Sequence, residues 1–213
     1  TSTAGNITLN NTTNDFTGNV SLSGSSINVV DKNDMTVSSL TNGTNQPVTL
    51  FAGVGGTGGK LTLPAQSIAT GTAALDLESQ GGTLATNGAL STIGGGNMTL
   101  VARDGITIAH DLTVGGNLKL LLSTNSATDA TTLLSVAPSN AVGANIDQTA
   151  GSINVQGTTV ADAGWSGTTV PPTGSGGVHL AQVALVNGTK SFVTQSTRAT
   201  NNFVGRVTAR GTG

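Results

Sequence analysis

What this chain can fold into is constrained above all by a short unit that keeps returning: an apolar residue, a polar one, an apolar one. It occurs at Ile7-Thr8-Leu9, Val20-Ser21-Leu22, Ile27-Asn28-Val29, Val48-Thr49-Leu50, Leu61-Thr62-Leu63 and Leu75-Asp76-Leu77. It continues at Met98-Thr99-Leu100, Ile106-Thr107-Ile108, Leu112-Thr113-Val114, Leu118-Lys119-Leu120 and Ile153-Asn154-Val155. A period of two puts the apolar members on one face of a β-strand and the polar member on the other. Between the units stand Gly5-Asn6, Gly18-Asn19, Asn42-Gly43, Asn87-Gly88 and Gly115-Gly116-Asn117, residue types that tolerate positive φ and turn the chain. The chain is therefore read as strands of three to five residues, each followed by a corner.

Spacing selects the architecture. Leu9 to Val29 is 20 positions, Ile27 to Val48 is 21, Leu84 to Ile106 is 22 and Leu75 to Met98 is 23. A coil of about 20 residues holds two or three short strands, and coils stacked at ~4.8 Å pair each strand in parallel with its counterparts above and below. The fold class expected is all-β, a parallel β-helix with 20–23 residues per coil. An antiparallel sandwich is the competing arrangement, but two-residue hairpin loops are scarce before residue 120.

Composition fits a thin aliphatic core. Only 8% of residues are charged and 2% aromatic, while 36% are hydrophobic; there are 31 Gly, 5 Pro and no Cys. Charged residues make up about 25% of typical soluble domains, so few groups remain for acid–base chemistry. The absence of Cys excludes disulfides and thiolate zinc sites, and two His residues far apart make no imidazole cluster. No apolar run reaches 18 residues, so no membrane-spanning helix is expected. The chain begins at Thr1 with no leader-like stretch, as a processed product or a fragment does. All ten acids lie at or before Asp162, whereas Lys190, Arg198, Arg206 and Arg210 follow it. Four spread cations fall short of a nucleic-acid footprint.

The repeat idiom weakens after Leu122. Three regions are expected: a β-helix shaft over 1–122, irregular loops and further coils over 123–176, and a C-terminal β-hairpin and strand element over 177–213. In the last, Val178 to Val186 reads as one long strand, Asn187-Gly188 as a hairpin turn, Thr189 to Gln195 as the return, and Asn202 to Arg210 as a third strand. Such an element suits a cap or a joint at the open end of a solenoid.

The phrases Gly5-Asn6-Ile7-Thr8-Leu9-Asn10-Asn11, Asn14-Asp15-Phe16-Thr17-Gly18-Asn19-Val20-Ser21-Leu22 and Ile27-Asn28-Val29-Val30-Asp31-Lys32-Asn33-Asp34-Met35-Thr36-Val37, with Gly105-Ile106-Thr107-Ile108, resemble the repeats of filamentous-haemagglutinin-like exoproteins. The resemblance covers residues 5 to 120. It implies a right-handed β-helical shaft in a secreted, Gram-negative surface adhesin of the two-partner-secretion type.

Motifs that carry chemistry elsewhere are read here as structure. Gly53-Val54-Gly55-Gly56-Thr57-Gly58 matches G-x-G-x-x-G, yet Lys60-Leu61-Thr62-Leu63-Pro64 is a strand and a breaker rather than the helix a pyrophosphate needs. Asp76 and Glu78 lie two apart on one strand face, about 6–7 Å from each other, the strongest enzymatic candidate because paired carboxylates hydrolyse glycosides. A solvated outer face is the reading preferred for them. Asp31-Lys32-Asn33-Asp34 lacks the Gly and distal Glu of a calcium loop and reads as a polar corner. Adjacent His110 and Asp111 point to opposite faces, and His179 is read as structural. Trp165, flanked by Gly and Ser, is a loop anchor or a contact for sugar or protein. Seven Asn-x-Ser/Thr sequons are close to what the composition produces by chance.

The function expected is that of a non-enzymatic extracellular structural or adhesive solenoid with no cofactor, metal or nucleic-acid partner. Its partners would be further copies or neighbouring repeats, with a host or matrix glycan or protein as receptor. A discrete subunit polymerising head to tail through coil ends is the alternative, and a β-helical enzyme acting on polysaccharide the third. Trp165, Asn202, Phe203, Val204, Arg206, Val207 and Arg210 are the candidate contact and assembly residues.

Overall fold

The structure, a computed structural model, describes residues 5–54, 59–122, 146–156, 159–162, 178–179, 182–186, 192–195 and 206–210. The first coil holds β1 (Ile7–Leu9) and β2 (Asn19–Ser23), the second β3 (Ile27–Asp31) and β4 (Met35–Thr41). Three-stranded coils follow: β5 (Val48–Ala52), β6 (Leu61–Thr62) and β7 (Ile68–Ala69); β8 (Leu75–Ser79), β9 (Thr83–Ala85) and β10 (Leu90–Ser91); β11 (Met98–Ala102), β12 (Gly105–Ile108) and β13 (Leu112–Val114). Then come β14 (Leu118–Leu122), β15 (Ile146–Gln148) and β16 (Ile153–Val155); β17 (Thr159–Asp162), β18 (Val178–His179) and β19 (Gln182–Val186); and finally β20 (Phe192–Gln195) and β21 (Arg206–Arg210).

Stacking sorts these strands by their place in the coil. One sheet of eight runs β1-β3-β5-β8-β11-β14-β17-β20, a sheet of six runs β7-β10-β13-β16-β19-β21, and between them lie sheets ordered β2-β4-β6 and β9-β12-β15-β18. Every pairing is parallel, including those at both ends of the eight-stranded sheet. The molecule is a β-solenoid, all-β among its described residues.

Each spacing read from the sequence is a register in the structure. Leu9 pairs with Val29, Ile27 with Val48, Leu84 with Ile106 and Leu75 with Met98. The apolar members of the triplets become ladders through the interior: Ile27, Val48, Leu75, Met98 and Leu118 in one column, Val29, Leu50, Leu77, Leu100 and Leu120 in the next. Opposite them Ile68, Leu90, Leu112 and Ile153 form a third column. All are buried. A like residue on a like residue at one strand spacing fills the thin interior with little wasted volume, which suits a core without aromatics.

Corners are held by small hydroxyl residues turned inward. Buried Thr70 donates to the Ala73 carbonyl at 2.9 Å, and Thr92 donates to the Gly96 carbonyl at 2.6 Å while accepting from the Gly115 amide at 3.1 Å. Asn45 (φ 56°) and Gly71 (φ 63°) occupy the left-handed region on successive coils, where Asn45 Oδ1 also accepts from the Thr72 amide at 3.0 Å. Gly115 is needed for another reason: a Cβ there would sit 2.1 Å from the Ile93 carbonyl carbon of the coil before it.

The hairpin expected around Asn187-Gly188 does not form. β19 lies between β16 and β21 and β20 pairs with β17, all in parallel, so the strands flanking that dipeptide belong to different sheets. The long strand expected over 178–186 is likewise divided into β18 and β19, in two sheets. The preceding coil already offers parallel edges, and continuing the stack satisfies backbone groups that a protruding hairpin would leave uncovered at those edges. The third strand expected near the end is present as β21.

Leu100→Ala, in the centre of the second column, should cost about 2–5 kcal/mol in urea unfolding, whereas Leu9→Ala, at 42% exposure in the first coil, should change stability by less than about 1 kcal/mol. Gly115→Ala should destabilise well beyond Gly18→Ala, where nothing lies within 4 Å of the new methyl.

Candidate functional site

The corner that follows the eight-stranded sheet differs from the others. Connections elsewhere in the coil run two to six residues, such as 63–67, 92–97 and 109–111. From this corner three are as short, 32–34, 80–82 and 103–104, but five are long: 10–18, 53–60, 123–145, 163–177 and 196–205. Trp165 lies in the fourth of these and Asn202, Phe203 and Val204 in the fifth, outside the described residues, as does the helical turn read near Thr131 to Val136.

Most of the charged residues of the first five coils also gather at this corner, and among them Asp15, Asp31, Lys32 and Asp34 bind one coil to the next. Asp31 is fully buried at the end of β3; its carboxylate accepts from the Phe16 amide at 3.1 Å, in the preceding coil's connection, and from the Asn33 amide at 3.1 Å. Asp15 in turn takes Lys32 Nζ at 2.9 Å and Asn33 Nδ2 at 2.8 Å. The Asn14 amide nitrogen reaches the Leu9 and Val30 carbonyls at 2.8 and 3.1 Å. Asp34 Oδ1 accepts from the Lys60 amide one coil on at 2.8 Å, and Ser79 Oγ accepts from the Leu61 amide at 3.1 Å. In the fifth coil Arg103 grips the neighbouring Asp104 through two bonds of 2.7 and 2.8 Å; this pairing holds the Asp104 carboxyl below the ordinary carboxylate range. The polar corner read at 31–34 is thus a set of ties between coils: the Asp31 and Asp34 carboxylates accept backbone amides, and Lys32 pairs with Asp15.

Beside this corner, the outer face of the eight-stranded sheet carries Asp76 and Glu78, as their spacing requires. Register places Asp76 between Thr49 and Thr99, with Lys119 one strand further, and Glu78 between Phe51 and Val101. The expected solvated face does not hold for Glu78, which is 0% exposed and accepts from the Gln80 amide. Burial pushes the Asp76 carboxyl up, against a bond from Thr99 and the attraction of Lys119. The outer positions Val30, Val101 and Leu121 are buried as well. Period two predicted which face these residues share; whether that face is wet depends on what packs over it, which strand periodicity does not encode.

His110 and Asp111 serve different neighbours. His110 Nδ1 lies 2.8 Å from the Thr86 carbonyl, to which it donates. Asp111 Oδ1 accepts from Ser152 N at 2.7 Å and Ser152 Oγ at 3.0 Å, bonds that hold its carboxyl below the usual range. Asp, His and Ser are thus near one another without the order of a nucleophilic triad, since Ser152 donates to the acid and His110 to a backbone carbonyl. β6, not a helix, follows the glycine-rich 53–58 segment, whose residues 55–58 are outside the described set. His179 on β18 lies opposite Asp147 in register. Arg206, Val207 and Arg210 lie on β21, opposite Gln182, Val183 and Val186, at the end of the six-stranded sheet. Among the described residues no helix is long and apolar enough to cross a membrane, and no three His, Cys, Asp or Glu side chains group for a metal. Comparison of the chain with protein-family models, curated proteins and solved structures returned no match.

Asp31→Ala should destabilise by about 1–3 kcal/mol, because two backbone donors lose a buried acceptor. Asp76 gives a pH signature of opposite sense to an ordinary salt-bridged acid. Its folded pKa lies above that of an ordinary aspartate, so the native state holds the proton more tightly and stability falls as pH climbs from the ordinary value through the folded one. Asp76→Asn should therefore be more stable than the parent at pH 7, and the advantage should shrink below about pH 4 in denaturant titrations.

Proposed function

We propose that the chain is a structural, non-enzymatic solenoid that builds the shaft of an extracellular adhesin or fibre. One observation carries the reading: Asp15, Asp31, Lys32 and Asp34 tie the first three coils to one another at one corner, while the interior is a set of aliphatic ladders running from coil to coil. Strength along the stacking axis is what such an arrangement supplies. The resemblance of residues 5 to 120 to filamentous-haemagglutinin-like repeats supports a secreted, cell-surface setting.

A second reading, a subunit polymerising head to tail, draws on the end strands. β1 ends the eight-stranded sheet on one side and β20 on the other, and since all strands run parallel, the two edges present the same polarity for a further strand. In this reading Arg206, Val207 and Arg210 on β21 sit at the joint.

Negative-stain electron microscopy of the purified chain at micromolar concentration, beside a truncation before Asn201, separates these readings. The shaft reading expects isolated short rods from both samples. Filaments that vanish on truncation make the chain a polymerising subunit whose last strand is the joint, and compact particles in place of rods would remove both readings.

A further inference from the structure

The end of the solenoid formed by β1 and β2 is left open. In the ladder that Leu9 heads, Val29, Leu50, Leu77, Leu100 and Leu120 are each at most 1% exposed, whereas Leu9 itself is 42% exposed. In β2, Val20 is half-buried while its partner one coil on, Val37, is buried. Phe16, in the connection joining β1 to β2, packs half-buried against the core and leaves Leu9 uncovered. The backbone matches the side chains. The Ile7 amide donates to the Ser26 carbonyl at 2.8 Å on the β3 side, so alternation turns the Thr8 N–H and C=O outward from the sheet edge.

Edges that stay bare are normally blunted by Lys, Pro, inward charges or a bulge in the edge strand. Residues 5–14 and 16–26 hold no charge and no Pro, and the extra residue of the β2–β4 bulge, Ser38, lies in β4 rather than at the edge. Asp15, between those stretches, is paired with Lys32. The first strand of the six-stranded sheet, β7, is treated differently. Asn42 Nδ2 donates to its Ala69 carbonyl at 3.0 Å, and Asn45 Oδ1 accepts from the Thr72 amide just beyond it at 3.0 Å, so side chains of the coil before close that edge.

Cross-section limits what can cover the open end. The first two coils place strands in two sheets only, the eight-stranded sheet and β2-β4-β6. The last coil combines β20 in the eight-stranded sheet with β21 in the six-stranded sheet. Laid over the first coil, β20 would meet β1, but β21 would find no strand of its sheet before the capped β7, and β2 would stay bare.

We propose that this end is a docking surface for one further uncharged, two-stranded parallel coil, with the 20-residue spacing that sets Ile7 on Ile27, its strands laid on β1 and β2. The chain's own C-terminal coil does not fit it. The proposal rests on the shaft reading, in which such a coil is a neighbouring repeat, and it turns against the subunit that polymerises head to tail.

Three extended forms of the full chain are compared with the parent by thermal unfolding: residues 7–26 duplicated in tandem, a copy of 27–47 set ahead of Ile7, and a copy of 192–213 in that same place. The first two should raise the midpoint by about 2 °C or more, and the third should not. In both two-stranded extensions, Leu9→Ala in the copy of β1 next to β3 should lower the midpoint about threefold further than Leu9→Ala in the parent, because a sealed Leu has replaced an exposed one. If the tandem duplicate does not fold, the 27–47 extension decides. No rise with either two-stranded coil, an equal rise with the copy of 192–213, or a Leu9→Ala no costlier than in the parent would each overturn the proposal. Compact particles in electron microscopy would end the shaft reading, whereas rods whose midpoint ignores an added coil would end this proposal alone.

Discussion

Everything in this molecule depends on one constraint: each strand must hydrogen-bond to the strand one coil before it and the strand one coil after it, in parallel and in register. Parallel pairing at ~4.8 Å places equivalent positions of successive coils directly over one another. A residue is then judged by what stands above and below it as much as by its own chemistry. Val29 is tolerable because Leu50 follows it, and Leu50 because Leu77 does. The same demand makes Gly115 necessary, since the coil before it passes too near for a side chain.

Polar groups obey the constraint differently. A buried charge in the ladders would be unpaired on both sides, so charged residues are displaced to corners and outer faces, where they find partners in adjacent coils. Asp31 illustrates the solution: fully buried at a strand end, it accepts backbone amides from its own corner and from the coil before. Asp34 does the same toward Lys60. Because such bonds run along the stacking axis, the corner with the most of them also resists separation of coils. Lengthened connections leave from that corner, where the chain can depart from the stack without disturbing a ladder.

The triplets and their spacing made the coil legible before any coordinates, because inward and outward positions alternate with an unambiguous period of two and pairing requires that equivalent triplets recur. The C-terminal strands were less legible. Asn187-Gly188 has the residue types of a two-residue hairpin, but the same types serve any tight corner. The choice between folding back and going on lay in the parallel edges of β16 and β17, which a reading of local residues does not contain. The corner network was half visible: Asp31-Lys32-Asn33-Asp34 and Asn14-Asp15-Phe16 stood out as polar, while their bonding to one another across 15 to 18 positions did not.

By itself the sequence determined that the chain is an aliphatic solenoid of short strands with coils of 20 to 23 residues, which face of each strand is inward, and that Asp76 and Glu78 share an outer face. Those properties follow from local periodicity, which is written residue by residue. The tertiary structure alone decided that coils of 27, 41 and 33 residues, from Val48 to Leu75, Leu118 to Thr159 and Thr159 to Phe192, still keep register. It also decided that their extra length leaves from one corner, that Glu78 is sealed from water, and that the last strands continue the stack. Each of these depends on which surfaces meet across coils, and contact between residues distant in sequence is a property of the assembled chain rather than of any segment.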